Sequence, residues 1–188
     1  ERDFFKRVLA IFSASKDPNA QMLGMFLQFF FEVFLSGKDA PNEAPDPNEP
    51  KETPAERINK GVALLRSGAL TTWSDFKEKH RGERVEFQSP VAEDAMVTSG
   101  FGHRHAPTAG ASRDHKGVDL GARGENRNPD ILASASGVVL FSGRQQGYGN
   151  VVILGHADGS QTLYAHLRGE KMPKQGHEVE KGQVIGVM

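Results

Sequence analysis

The sequence predicts an α+β protein in which helical segments come first and a mostly antiparallel β domain follows. Before residue 85, apolar residues recur at helical spacing. After Val85 the chain changes to short β-rich runs separated by glycines, which tight turns and bulges require. With 37% hydrophobic and 25% charged residues among 188, the composition is ordinary for a globular chain that has a core.

The predicted N-terminal unit, residues 1–37, is a hydrophobic helical segment. Eight of the 12 phenylalanines precede residue 36, and Gln28 and Glu32 would form one polar stripe along an otherwise apolar helix over Met22–Leu35. That stretch is shorter than the roughly 20 residues a transmembrane helix needs. We consider three roles: packing against Phe4–Phe12 or in an oligomer contact, insertion at a membrane surface, or a pro-segment over a groove of the β domain.

A linker and a helical brace are predicted to follow. Residues 38–56 hold half of the prolines together with Asn and acidic residues, which indicates an extended linker. Residues 57–84 form the predicted brace. One helix begins at Thr53-Pro54 and ends near Gly68, and a second covers Thr72–Lys79 with Trp73 and Phe76 on one side. We expect the brace to pack on the β domain.

The β domain is predicted to span residues 85–188. Its expected strands are seven short runs, namely Val85–Phe87, Met96–Gly100, Ile131–Ala135, Gly137–Ser142, Asn150–Gly155, Gln161–His166 and Gln183–Met188.

Charge and cysteine content narrow the function classes. The net charge is −1 with no Lys/Arg cluster, so no nucleic-acid partner is expected. No cysteine is present, which excludes disulfides and thiolate ligands; a metal site must use His and carboxylates. No signal peptide is visible, because the apolar run Val8–Phe12 is shorter than an h-region of about 7–15 residues.

His115 and Asp119 form the candidate metal-ligand pair. In a regular strand they would share a face but lie about 13 Å apart, at roughly 3.3 Å per residue. Gly117 between them lets the backbone bend, and Gly117 with Val118 disfavours a helix. We therefore expect a bent strand end or turn that brings the imidazole and the carboxylate together.

Six motifs in order resemble the zinc peptidases of the lysostaphin type, also called M23 or LytM-type endopeptidases. The resemblance covers about residues 88–188. The motifs are Ser-Gly-Phe-Gly-x-Arg at 99–104, His-x-Gly-Val-Asp-Leu at 115–120, Pro-Asp-Ile-Leu-Ala-x-x-x-Gly-Val-Val at 129–139, Gly-Tyr-Gly-Asn at 147–150, Leu-Tyr-Ala-His-Leu at 163–167 and Val-x-Lys-Gly-Gln-x-Ile-Gly at 179–186.

The resemblance implies a core antiparallel sheet with a groove, and Zn²⁺-dependent hydrolysis of peptide bonds in bacterial peptidoglycan. It assigns His115 and Asp119 as zinc ligands and His166 as a catalytic histidine. The family also has a His-x-His motif that supplies the third ligand and a second catalytic histidine, and no such motif follows His166 within these 188 residues. The alternative is a catalytically incomplete module that binds peptidoglycan or regulates another cell-wall hydrolase.

Other polar and aromatic residues have weaker assignments. Arg104, Tyr148 and Tyr164 are candidate substrate contacts, although aromatic residues at strand ends pack just as often. His103 and His105 are expected to line the groove, to be plain surface residues or to replace a missing ligand, and His156 is expected to be structural. The substrate class places the protein in the cell envelope, in periplasm or cell wall, where the N-terminal helices would join a homo-oligomer or an envelope or phage assembly.

Overall fold

The structure is a computed structural model of the 188-residue chain. It describes residues 66–91, 95–103, 114–115, 117–123, 128–145 and 147–188, together with isolated earlier positions. The chain divides into two compact units, residues 1–38 with 52–66 and residues 39–51 with 67–188. In the first unit the described residues between 55 and 66 are helical. The predicted helix Met22–Leu35 lies outside the described residues.

The brace helix α1 runs from Ala69 to Lys79. It begins after Gly68, whose φ of +73° is a left-handed conformation that glycine adopts without strain. Its buried side chains are Ala69, Trp73 and Phe76, spaced so that they share one face of the helix. The helix includes the second predicted helix, Thr72–Lys79, and packs against β6 of the main sheet. No helix in the described part of the chain is long and apolar enough to cross a membrane.

Short antiparallel strands form the rest of the second unit. They are β1 Ala95–Ser99, β2 Gly102–His103, β3 Asp114–His115, β4 Asp119–Ala122, β5 Asp130–Leu132, β6 Gly137–Gln145, β7 Gly149–Gly155, β8 Gln161–Leu167, β9 Glu178–Val179 and β10 Val184–Val187. Strands β8, β7, β6 and β9 form a four-stranded sheet in that order, while β1–β4, β2–β3 and β5–β10 pair two by two. The predicted mostly antiparallel β domain is confirmed.

The four-stranded sheet is covered on both faces. Its central strand β7 is buried continuously from Val151 to Gly155, as expected when neither face meets water. On one face lies Trp73 of α1, so close to Gly155 that a Cβ atom there would be 2.5 Å from the indole ring. On the other face Val152 and Leu154 join a core cluster that includes Ile131, Val139, Tyr164, Leu167 and Ile185.

Two predicted strands differ from the structure. Val85–Phe87 is not a strand, because the chain there pairs with a loop: the Gln88 N–H donates to the Ser134 carbonyl at 2.8 Å. The predicted strand Ile131–Ala135 is shorter in the structure and ends at Leu132. Beyond it Ala133 leaves the ladder and bonds the Gln183 carbonyl at 2.8 Å.

Candidate metal centre

Two neighbouring strand pairs bring the predicted ligands together. Strand β1 pairs with β4 so that Ser99 is opposite Asp119, and β2 pairs with β3 so that Gly102 is opposite His115. The chain bends at Gly117, as predicted, and the two candidate ligand residues lie on consecutive strand ends facing the same segment, residues 99–102.

The His115 imidazole is held by the main chain on one side. The ring is buried, with 1% of the residue exposed. Its Nδ1 lies 2.6 Å from the Gly100 carbonyl oxygen and 3.4 Å from the Ser99 hydroxyl. Because a carbonyl only accepts hydrogen bonds, Nδ1 carries the proton and donates to Gly100. In the neutral ring this leaves Nε2 with a lone pair and no proton.

His115 Nε2 faces the Asp119 carboxylate. The Nε2 to Oδ1 distance is 3.2 Å, yet Nε2 is buried and has no hydrogen-bond partner. With the ring neutral, two acceptor atoms face each other, an arrangement that a cation between them stabilises. Two ligands at about 2.1 Å from a tetrahedral zinc would themselves be about 3.4 Å apart. The pair therefore fits two zinc ligands, and the Asp119 side chain is 44% exposed, which leaves access from solvent.

A third ligand is not found among the residues that the structure describes. In that part of the chain no group of three or more His, Asp or Glu side chains is arranged to hold a metal ion. His103 ends β2 and is exposed, whereas Arg104 and His105 lie outside the described residues. The predicted roles of His103, Arg104 and His105 therefore stay predictions.

His166 lies in an irregular part of β8. Its φ is +57°, a left-handed conformation that is uncommon for a residue other than glycine. The pairing with β7 shifts at this point, since Asn150 is opposite Leu167 but Val152 is opposite Tyr164. Two steps on β7 thus face three on β8, which is a β-bulge. The bulge leaves His166 exposed, although its neighbours Tyr164 and Leu167 are buried.

The two candidate tyrosines lie in different surroundings. Tyr148 is half-buried in the turn between β6 and β7, and burial raises the pKa of its hydroxyl. Tyr164 is buried, and its hydroxyl accepts the Ser134 N–H at 2.9 Å and bonds the Thr162 hydroxyl at 2.9 Å. The position of Tyr164 favours the packing alternative stated for it above.

His156 is a structural residue, as predicted. Its Nδ1 donates to the Ser136 carbonyl at 2.9 Å, and its Nε2 lies 2.8 Å from the Thr162 hydroxyl. Burial lowers its pKa, while the Ser136 carbonyl and the Asp158 charge act in the opposite direction. Its own carbonyl accepts the Trp73 indole N–H at 2.9 Å, which connects α1 to the end of β7.

Two contributors to the site were not found from the sequence. The Gly100 carbonyl sets the tautomer of His115, and a main-chain acceptor leaves no residue-type signal. Asn150 donates its side-chain amide to the Leu167 carbonyl at 2.9 Å, next to His166. The motif Gly-Tyr-Gly-Asn pointed to this turn but not to that contact.

Comparison with known sequences places these residues in a family context. Residues 113–188 match the profile described as Peptidase family M23. The chain is 43% identical over 90 residues to DD-carboxypeptidase/endopeptidase Mpg of Neisseria meningitidis. The aligned stretch covers 48% of this chain and 20% of that protein. This chain therefore spans about a fifth of the length of that relative.

Two further relatives match a longer stretch. The chain is 37% identical over 133 residues to murein hydrolase activator NlpD of Escherichia coli, covering 69% of this chain and 33% of NlpD. It is 29% identical over 132 residues to peptidoglycan DD-endopeptidase ShyC of Vibrio cholerae, covering 70% of this chain and 30% of ShyC.

Proposed function

From the premise that the β-rich part of the chain, over residues 113–188, belongs to peptidase family M23, we propose that the protein is a zinc-dependent endopeptidase that hydrolyses peptide bonds of bacterial peptidoglycan. Relatives named endopeptidases support the reaction class. The proposal includes peptidoglycan as the partner and the cell envelope as the place of action.

One observation carries the proposal. The buried Nε2 of His115 has no hydrogen-bond partner and faces an Asp119 carboxylate oxygen at 3.2 Å. A buried polar atom without a partner is costly, so its retention needs an explanation. Bonding to a cation would give Nε2 a partner, and the Asp119 carboxylate would be a second ligand of the same cation. Histidine nitrogen and carboxylate oxygen are ligands that zinc accepts in catalytic sites.

His115 and Asp119 would hold the zinc, and bound zinc supplies a water of lowered pKa and polarises the scissile carbonyl. His115 keeps its proton at Nδ1, where it donates to Gly100, so that Nε2 stays available as a ligand. Its burial restricts the ring to one orientation.

His166 would be the proton-transfer residue. Its exposure lets the imidazole reach substrate, and an imidazole exchanges protons near neutral pH. Tyr148, in the turn beside the His166 main chain, would contact substrate with its half-buried hydroxyl, and burial raises the pKa of that hydroxyl. Arg104 and Tyr164 remain predicted substrate contacts.

The test combines metal content with hydrolysis. Zinc per chain is measured by elemental analysis, and fragment release from purified sacculi by mass spectrometry, for the wild type, Asp119→Asn and His177→Ala. Asp119→Asn preserves side-chain size and removes the carboxylate. His177 is exposed in a turn, so His177→Ala is the matched control for loss of one polar side chain. We expect zinc and hydrolysis in the wild type and the control, and loss of both in Asp119→Asn.

A second candidate function is a non-catalytic module that binds peptidoglycan or regulates another hydrolase. It is favoured by the finding of two, not three, candidate ligands among the described residues, and a relative named as a murein hydrolase activator supports it. Wild-type protein that binds sacculi but neither retains zinc nor releases fragments would contradict the enzyme and favour this module.

A further inference from the structure

The β-bulge at His166 must be stabilised by contacts with neighbouring residues. A left-handed backbone at a histidine persists only when the surrounding contacts determine it, and such conformations cluster at functional sites. The bulge falls between Tyr164 and Leu167, and both side chains are anchored in the core cluster. The extra residue is therefore confined to the short stretch Ala165–His166 between two fixed points.

The end of the β6–β7 turn and the start of β7 contact the bulge through three successive residues, Tyr148, Gly149 and Asn150. The Tyr148 carbonyl accepts the His166 N–H at 2.9 Å. Gly149 has a φ of +62°, and a Cβ atom on it would lie 3.7 Å from His166 Cα, so the turn runs directly against the bulge. Asn150 then donates its side-chain amide to the Leu167 carbonyl at 2.9 Å.

The Asn150 contact differs from the other two because it uses a side chain. It holds the carbonyl of the Leu167–Arg168 peptide group, one residue beyond His166, and so anchors the C-terminal end of the bulge. The N–H of the same peptide group, that of Arg168, donates to the Val187 carbonyl at 2.9 Å. The backbone of His166 therefore lies between two anchors, the Tyr148 carbonyl at its own N–H and the Asn150 amide at the Leu167 carbonyl.

We propose that Asn150 is a positioning residue for His166: its amide holds the Leu167 carbonyl and so maintains the left-handed backbone that directs the imidazole out of the sheet. The expected effect on catalysis rests on the proposed function, whereas the expected effect on the backbone conformation of His166 does not. A small misplacement of a catalytic group costs a large factor in rate, so the contact affects turnover more than binding.

The test compares Asn150→Asp and Asn150→Ala with Ser89→Ala. Asp keeps the side-chain size but, when ionised, has no donor for the Leu167 carbonyl. Ser89→Ala is the control because it also removes side-chain to main-chain hydrogen bonds away from the bulge. The Ser89 hydroxyl donates to the Val91 carbonyl at 2.8 Å and accepts the Val91 N–H at 3.3 Å. The backbone readout is the intraresidue amide-to-Hα NOE of His166, which is strong at positive φ because the two protons approach.

We expect both Asn150 variants to weaken that NOE and to lower kcat by about 10- to 100-fold, with KM and zinc content unchanged. The control should change neither. A His166 NOE that stays strong in both variants would overturn the proposal, as would a kcat loss no larger than that of Ser89→Ala. If the wild type releases no fragments from sacculi, the proposed function fails, but the NOE still decides whether Asn150 holds the backbone of His166.

Discussion

His115 and His156 are both almost completely buried, with 1% and 0% of each residue exposed, yet their ring nitrogens have different partners. Both donate from Nδ1 to a main-chain carbonyl. The His156 Nε2 continues into a chain of hydrogen bonds through Thr162 and Tyr164 to the Ser134 N–H. The His115 Nε2 has no hydrogen-bond partner and faces the Asp119 carboxylate.

Burial alone therefore does not distinguish a structural histidine from a candidate metal ligand. Buried polar atoms normally have hydrogen-bond partners, and His156 follows that rule with both nitrogens. His115 follows it with one nitrogen only, and its second nitrogen faces the Asp119 carboxylate. We therefore expect changes at His156 to affect stability, and changes at His115 to affect metal binding and catalysis.

The largest expected effect is on activity, at His115. His115→Gln should lose zinc and lower the rate of sacculus hydrolysis by about 100-fold or more, because it removes a metal ligand. Zinc content and fragment release check this on the same preparation. Hydrolysis at more than about a tenth of the wild-type rate would show that His115 is not a ligand and would end the contrast with His156.

His156→Ala should show the opposite pattern. It leaves the Ser136 carbonyl without its partner, removes one of the two partners of the Thr162 hydroxyl and opens a cavity, so the free energy of unfolding should fall by about 2–4 kcal/mol. Urea unfolding measures this, and zinc content per folded chain should be unchanged. A stable variant that has lost zinc would reverse the two roles.

Thr162→Val is a smaller change that makes His156 resemble His115. Valine is close in size to threonine but leaves His156 Nε2 without a partner, at a cost of about 1–3 kcal/mol. Urea unfolding at pH 7.5 is the measurement, with Ser160→Ala as the control because it also removes one hydroxyl, which is half-buried and bonds the Asp158 carboxylate. Equal stability of Thr162→Val and wild type would mean that the hydrogen-bond chain contributes nothing.

The smallest effect is a pH dependence that arises at His156. Burial lowers the pKa of His156 below its usual value of 6.5, so in that pH range the unfolded chain binds the proton more readily than the folded one. The contribution of neutral His156 to the free energy of unfolding is therefore fully present above pH 6.5, and it is lost as the pH falls from there through the pKa of the folded state. His156→Gln should flatten this dependence in unfolding measurements between pH 7.5 and 5.5. If the free energy of unfolding of the variant depended equally steeply on pH, the pH dependence would arise from other groups.

The sequence predicted the features that arise from local patterns. Trp73 and Phe76 at helical spacing marked α1, the run Val151–Leu154 marked β7, and Gly117 between the two ligands marked the bend that joins them. Each depends on residue type and spacing, which a single sequence displays.

The unpredicted features depend on which main-chain groups meet in three dimensions. The Gly100 carbonyl beside His115 and the Leu167 carbonyl beside Asn150 are backbone acceptors that any residue could supply. The bulge at His166 arises from the pairing of β7 with β8. Val85–Phe87 was wrongly predicted as a strand because its apolar spacing does not reveal that the following Gln88 bonds a loop.

The most direct test is a zinc titration of the protein followed by long-range ¹H–¹⁵N NMR of the histidine side chains. We expect His115 to begin with a proton on Nδ1 and none on Nε2, and zinc to shift the Nε2 resonance while both His156 nitrogens stay unchanged. A His115 ring that carries protons on both nitrogens, as in an ion pair with Asp119, and does not respond to saturating zinc would contradict this expectation.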